Sequence, residues 1–163
     1  LQWEFAAEVL VHCKKAGVNT AVESCLLASR EAMEAMLPVT DQFLVDIKFL
    51  DPVLHKMHLG ADNRVILENF QWLLAHGARV LVRTPLIPGY TAAEDNIRAI
   101  ARYLRRNAPQ TPWELLNFNP LCRGKYTALE QDYPVSGGSL TQAELQRFYD
   151  ILEQEGITNI VKE

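Results

Sequence analysis

Cysteine is scarce in this chain: three in 163 residues, at Cys13, Cys25 and Cys122. An odd number, widely spaced, points to reduced thiols and away from a disulfide scaffold. Long apolar runs are missing too, and none approaches the roughly 18 residues of a membrane span. There is no basic excess. The 16 Lys+Arg stand against 20 Asp+Glu, a net charge of −4, which argues against a nucleic-acid footprint. Neither GxGxxG nor GxxxxGK[ST] occurs, and the one GG pair, Gly137-Gly138, lies in a loop. Nucleotide-binding Rossmann and P-loop proteins therefore lose their support. The opening residues, Leu1-Gln2-Trp3-Glu4-Phe5, hold no basic stretch followed by an apolar one, so no signal peptide is expected. The expectation is a cytoplasmic protein with neither nucleic-acid nor membrane partners.

What is present is ordinary for a globular domain: 48% hydrophobic and 22% charged residues, enough chain for one domain with a good core. Leu1, Phe5, Ala6, Val9, Leu10 and Cys13 share one helix face, which predicts a helix over about 2–16 closed by Gly17. The chain thus opens inside a helical pattern without an initiator Met, and a segment of a longer protein is expected. Short strands are predicted at Val18–Val22, Phe43–Lys48, Val80–Thr84, Trp113–Phe118 and Ile157–Val161. Helices alternate with them. Ser29, Asp51 before Pro52, Asp62 or Asn63, Thr91 and Thr141 are the candidate caps. Strict alternation favours parallel pairing with right-handed crossovers. Five strands are too few for a full (β/α)₈ barrel of about 250 residues. The expected fold is α/β, a partial TIM-type barrel: an open arc of about five parallel strands with helices outside.

In parallel α/β proteins ligands sit at the carboxyl ends of the strands, and polar residues recur there. Asp46 and Lys48 lie on one side of their strand by period-2 spacing. They suit a zwitterion or a ribose, with a plain ion pair at a strand end as the lesser alternative. Glu23 and Ser24 end the first strand and suit a cation or an amino acid, or simply a loop. Arg83 interrupts an apolar strand and needs a carboxylate, whether from a ligand or a structural partner. Asn117 and Asn119 close the fourth strand, where asparagine is also a common turn former. His55 and His58 are spaced i, i+3 on one helix, but no third metal ligand is in view, and surface histidines are expected. Arg123-Gly124-Lys125-Tyr126 reads as a basic patch in a long loop.

Five stretches, in order, carry a resemblance. Val18–Cys25, ending in Glu23-Ser24-Cys25, is similar to the third barrel strand of the radical S-adenosylmethionine activating enzymes of glycyl-radical enzymes. Asp46-Ile47-Lys48-Phe49-Leu50-Asp51-Pro52, with His55, resembles their D-[LI]-K-x-x-D-P-x-x-H segment. Asn63–Asn69 resembles their [ILV]-L-x-N helix, Arg83–Thr91 their R-x-P-[LV]-[IV]-P-G loop, and Gly124–Leu129 their [GS]-K-Y-x-x-L loop. Together the matches run over about the whole chain.

The resemblance implies that residues 1–163 are the C-terminal part of a partial (β/α)₆ barrel whose N-terminal strands are absent. It implies a parent that cleaves S-adenosylmethionine at a [4Fe-4S] cluster and makes a glycyl radical on a partner such as pyruvate formate-lyase. Reduced flavodoxin or ferredoxin would donate the electron. By family position, Glu23, Ser24, Asp46, Lys48, Arg83 and Asn119 would hold S-adenosylmethionine and a nearby monovalent cation. Three departures stand out. The CxxxCxxC and GGEP-like motifs are absent, Glu23 stands where Asp is commoner, and Asn119 stands where His is frequent. This segment alone is expected to hold no cluster and to be inactive. The rival reading is a non-enzymatic α/β domain that binds a small anion or a partner.

Overall fold

The computed structural model describes residues 2–162. Leu1, assigned above to the first helix face, lies outside them. Helix α1 (Trp3–Lys15) leads into β1 (Ala21–Ser24), α2 (Arg30–Met36), β2 (Gln42–Asp46), α3 (Pro52–Leu59), α4 (Arg64–Ala75) and β3 (Val80–Leu86). Then come α5 (Glu94–Asn107), β4 (Trp113–Asn117), α6 (Arg123–Ala128), α7 (Gln142–Gln154) and β5 (Ile160–Val161). The strands form one open sheet in the order β1-β2-β3-β4-β5, parallel throughout, as the alternation requires.

The two faces of the sheet differ. Phe43, Val45 and Ile47, Val80, Val82 and Leu86, and Trp113 and Leu115 are buried. They pack in one cluster with helix residues including Met33, Phe70, Leu73, Ile97, Ile100, Phe148, Ile151 and Leu152. Fully burying such side chains contributes about 1.5–3 kcal/mol each. The alternate residues Leu44, Leu81 and Leu116 are only half-buried and lie outside that cluster. They belong to a second, open face.

Strand ends are where the sequence reading moves. β1 begins at Ala21, not Val18, because residues 18–20 are engaged elsewhere. Val18 N–H donates to Cys13 O to close α1. Thr20 N–H donates to Asp41 Oδ2 at 2.8 Å, and Thr20 Oγ1 donates to Val39 O at 2.7 Å. β3 runs past Thr84 to Leu86, through Pro85. Arg83 O accepts from Ile47 N, so residues 83 and 85 turn their backbone groups toward β2. Pro85 has no N–H to offer there, and Ile47 O accepts from Thr84 Oγ1 instead. The fourth and fifth strands shorten to Trp113–Asn117 and Ile160–Val161.

Other details also shift. α1 turns Trp3, Ala6, Ala7 and Leu10 inward, whereas Phe5 and Val9 are exposed. Residues 123–128, expected as loop, form α6. Ser29, Asp51 and Thr141 cap as expected. Thr91 does not; α5 starts at Glu94 after Ala93, and the buried Thr91 hydroxyl bonds Pro85 O and Ile87 N–H instead. His55 is buried, its Nδ1 2.6 Å from Ala61 O, so it is no surface histidine. His58 stacks on Phe49 and meets the edge of Tyr90.

Two predictions concern this framework. Asn69, buried on α4, donates its amide to Leu26 O and Ala28 O, both at 2.9 Å. It thereby holds the turn in which buried Leu26 adopts a φ of 61°. Asn69→Ala orphans Ala28 O and leaves Leu26 O with only the Ala28 N–H, and should cost about 1–3 kcal/mol in urea denaturation, with unchanged slope. A loss near zero would mean the turn holds itself. Asp41 is also held well below the usual carboxylate range, at about 2, by its bond from Lys14 and then by the Thr20 N–H. Its folded pKa is depressed, so its stabilisation is full above about pH 4 and fades as pH falls through about 2. Asp41→Asn should flatten the acid limb of the stability curve across that window. An unchanged limb between wild type and variant would remove Asp41 from the acid response.

Candidate functional site

The open face is built from residues in register. Asp46 pairs with Arg83 and Arg83 with Glu114, so three ionisable side chains from three adjacent strands share one level and one side of the sheet. Lys48, two residues past Asp46, reaches back to it with Nζ 2.7 Å from Oδ2. Arg83 Nη1 lies 3.1 Å from Glu23 Oε1, two strands away. Arg83 Nε lies 3.3 Å from Glu114 Oε2, close enough for Coulomb attraction but out of line for a hydrogen bond, and Nε has no other partner. Arg83 is the centre of its strand rather than its end.

Two buried polar atoms on this face lack partners: the acceptor Asp46 Oδ1 and the donor Arg83 Nε. Buried polar groups are nearly always paired, so an unmet acceptor and donor on register neighbours suit a ligand hydroxyl, a cation at the carboxylate, or water. The face carries three carboxylates, Glu23, Asp46 and Glu114, against two cations, Lys48 and Arg83. Nothing in the sequence reading singled out Glu114. Its signal was available, because the alternation Trp113-Glu114-Leu115 puts it on the same face as Arg83.

Ser24 and Asn119 are placed differently. Ser24 Oγ accepts from Leu26 N–H at 2.9 Å, on the helix side of β1. Asn119 lies two residues beyond β4, exposed, its Oδ1 accepting from Leu121 N–H at 3.1 Å to cap a short 3₁₀ turn. Asn117 is engaged as well, donating to Leu140 O and accepting from Leu140 N–H.

Behind Lys48 the backbone is pinned. The carbonyls of Ile47, Lys48, Phe49 and Leu50 accept from Thr84 Oγ1 at 2.8 Å, Asn96 Nδ2 at 2.9 Å, and Asn63 Nδ2 at 2.9 and 2.8 Å. Thr84 Oγ1 in turn accepts from Trp113 Nε1 at 3.0 Å. The segment leaving β2 is therefore fixed by side chains from β3, α5 and the start of α4.

For metal chemistry the residues are less suited. Cys13 lies on α1, Cys25 just past β1 and Cys122 in the 3₁₀ turn. Among the described residues no three His, Cys, Asp or Glu gather to hold a metal ion. An iron–sulfur cluster does not fit the cysteines of this chain.

No protein-family model matches the chain. It is 35% identical over 151 residues to the choline trimethylamine-lyase activating enzyme of Oleidesulfovibrio alaskensis, covering 90% of this chain and 49% of that protein. It is 36% identical over 152 residues to the isethionate sulfite-lyase activating enzyme of Nitratidesulfovibrio vulgaris, covering 92% and 49%. Against the 4-hydroxyphenylacetate decarboxylase activating enzyme of Clostridioides difficile it is 32% identical over 160 residues, covering 96% and 50%. These homologues are activating enzymes of lyases and a decarboxylase. The chain spans about half the length of these curated relatives. Solved structures agree on the fold. A domain of pyruvate-formate lyase-activating enzyme from Bacteroides vulgatus superimposes with a TM-score of 0.77 at 24% identity, covering 98% of this chain and 91% of that one. Streptococcus suis SuiB bound to S-adenosylmethionine gives 0.72 at 12% identity, covering 96% and 36%. The expected partial barrel is thus the observed fold.

The pinning yields a prediction. Thr84→Val keeps the shape but leaves Ile47 O and the Trp113 indole N–H unpaired. It should cost about 2–4 kcal/mol and change the near-ultraviolet circular dichroism of Trp113. A variant as stable as wild type would show that the relay is not needed.

Proposed function

We propose that the parent protein is an activating enzyme that uses S-adenosylmethionine to generate a glycyl radical on a partner, and that the open face described here is part of its S-adenosylmethionine site. The observation that carries this reading is the unmet buried acceptor Asp46 Oδ1 beside the Asp46–Lys48 ion pair, in a chain homologous to such enzymes. When bound, S-adenosylmethionine and a [4Fe-4S] cluster supply a radical able to take hydrogen from glycine. This chain's residues bind and orient. Lys48 pairs a ligand carboxylate through a charge-assisted bond, and Asp46 Oδ1 accepts from a ligand hydroxyl or meets a monovalent cation. Arg83 offers its guanidinium to the same anion. Glu23, exposed at the rim, pairs Arg83 until a ligand arrives. Ser24 and Asn119 are engaged in turns and take no part unless those turns open. The cluster is assigned to residues outside this chain.

The partner is a glycyl-radical enzyme, pyruvate formate-lyase or a relative. Relatives named for a lyase of choline or isethionate and for a decarboxylase widen the choice. Incubating the reduced, anaerobic parent with S-adenosylmethionine and each candidate, then recording electron paramagnetic resonance, should give a glycyl signal on one. Reduced flavodoxin and ferredoxin are the donors to compare. A silent panel, with an intact cluster, would favour the non-enzymatic alternative.

Lys48 offers a sharper test. On a face outside the helix-packed core it stabilises the fold little. Lys48→Ala in the parent should weaken S-adenosylmethionine binding roughly ten- to hundredfold with a small change in melting temperature. Unchanged affinity with a large fall in melting temperature would make Lys48 only the structural partner of Asp46.

A further inference from the structure

Arg83 stands between two carboxylates of unequal freedom. Glu23 is 60% exposed and Glu114 14%, while Arg83 itself is 19% exposed. A carboxylate in water competes poorly for a guanidinium against an incoming anion, because its loss is repaid by hydration. A carboxylate held in partial burial beside the same guanidinium has no such exchange and stays. The geometry follows this division. Glu114 faces the Nε side of Arg83 from the neighbouring strand, at the same register level. Glu23 takes Nη1, the outer nitrogen. Among the described residues Arg83 is shared between two carboxylates, so an anion reaches its guanidinium when one of them yields, and Glu23 is the one free to move.

We propose that Glu114 is a positioning residue for Arg83. It anchors the Nε edge of the guanidinium and leaves the Nη edge for the carboxylate of a bound amino-acid moiety, with Glu23 displaced. The proposal rests on the assignment of the open face to S-adenosylmethionine. Glu114 touches no ligand in this scheme and acts only through Arg83. Nor is it a core residue, since its face of β4 lies opposite the cluster that contains Trp113 and Leu115. Loss of its charge therefore loosens Arg83 without removing a packed side chain.

The test is made in the full-length parent with two probes, S-adenosylmethionine and 5′-methylthioadenosine, which lacks the amino-acid carboxylate. Glu114→Gln should weaken S-adenosylmethionine roughly tenfold and leave 5′-methylthioadenosine unchanged. Glu114→Asp should recover part of the loss. In an Arg83→Met background, Glu114→Gln should add nothing, because its route is gone. Equal losses for both probes, full additivity in the double variant, or unaltered binding in Glu114→Gln would each overturn the proposal. A wild-type parent that binds neither probe would overturn the site assignment itself, a result distinct from failure of the Glu114 role alone.

Discussion

Four consecutive backbone carbonyls, Ile47 through Leu50, leave the sheet at the end of β2 and have no strand N–H to receive. Each must find a donor, since a buried carbonyl without one costs on the order of 1–3 kcal/mol. Thr84, Asn96 and Asn63 supply the donors from three different elements. The arrangement ties β3, α4 and α5 to the exit of β2. It also sets the direction in which Lys48 leaves the backbone, and so its reach to Asp46. Asn69 does for the exit of β1 what Asn63 does for that of β2. Buried amides from helices thus position the loops at the strand ends, where an α/β protein builds its site.

Electrostatics on the open face follows from this rigidity. Charges on adjacent parallel strands meet because the register sets Asp46, Arg83 and Glu114 side by side. Hydration is limited there, so each charge needs a partner. The partners are unequal in number, with Arg83 shared between two carboxylates. Of those two, Glu23 is open to water and Glu114 is not.

Much of the architecture was legible in the sequence because it rests on local signals. Ser29, Asp51-Pro52 and Thr141 announce helix starts through side-chain oxygens that need no distant partner. The i, i+3, i+4 apolar spacing of α4, α5 and α7 marks their buried faces. Asp46, Lys48 and Arg83 were legible as polar breaks in apolar strands. What misled were residues whose partners come from elsewhere in the chain. Thr20 reads as strand but serves the Asp41 junction. Pro85 reads as a strand end, yet β3 runs through it because Thr84 Oγ1 serves Ile47 O in place of the missing N–H. His55 reads as exposed but is buried against Ala61 O.

The sequence by itself determined the class of fold, through period and capping, and the chemistry available at the strand ends, through residue type. Only the tertiary structure decided which polar residues meet. Register across three strands joins Glu114 to Arg83 and Arg83 to Asp46, pairs 31 and 37 positions apart in the chain, and no local rule encodes that register. It is set by the packing of the opposite face, where Phe43, Val82 and Trp113 must interlock with the helices before any charge on the open face acquires a neighbour.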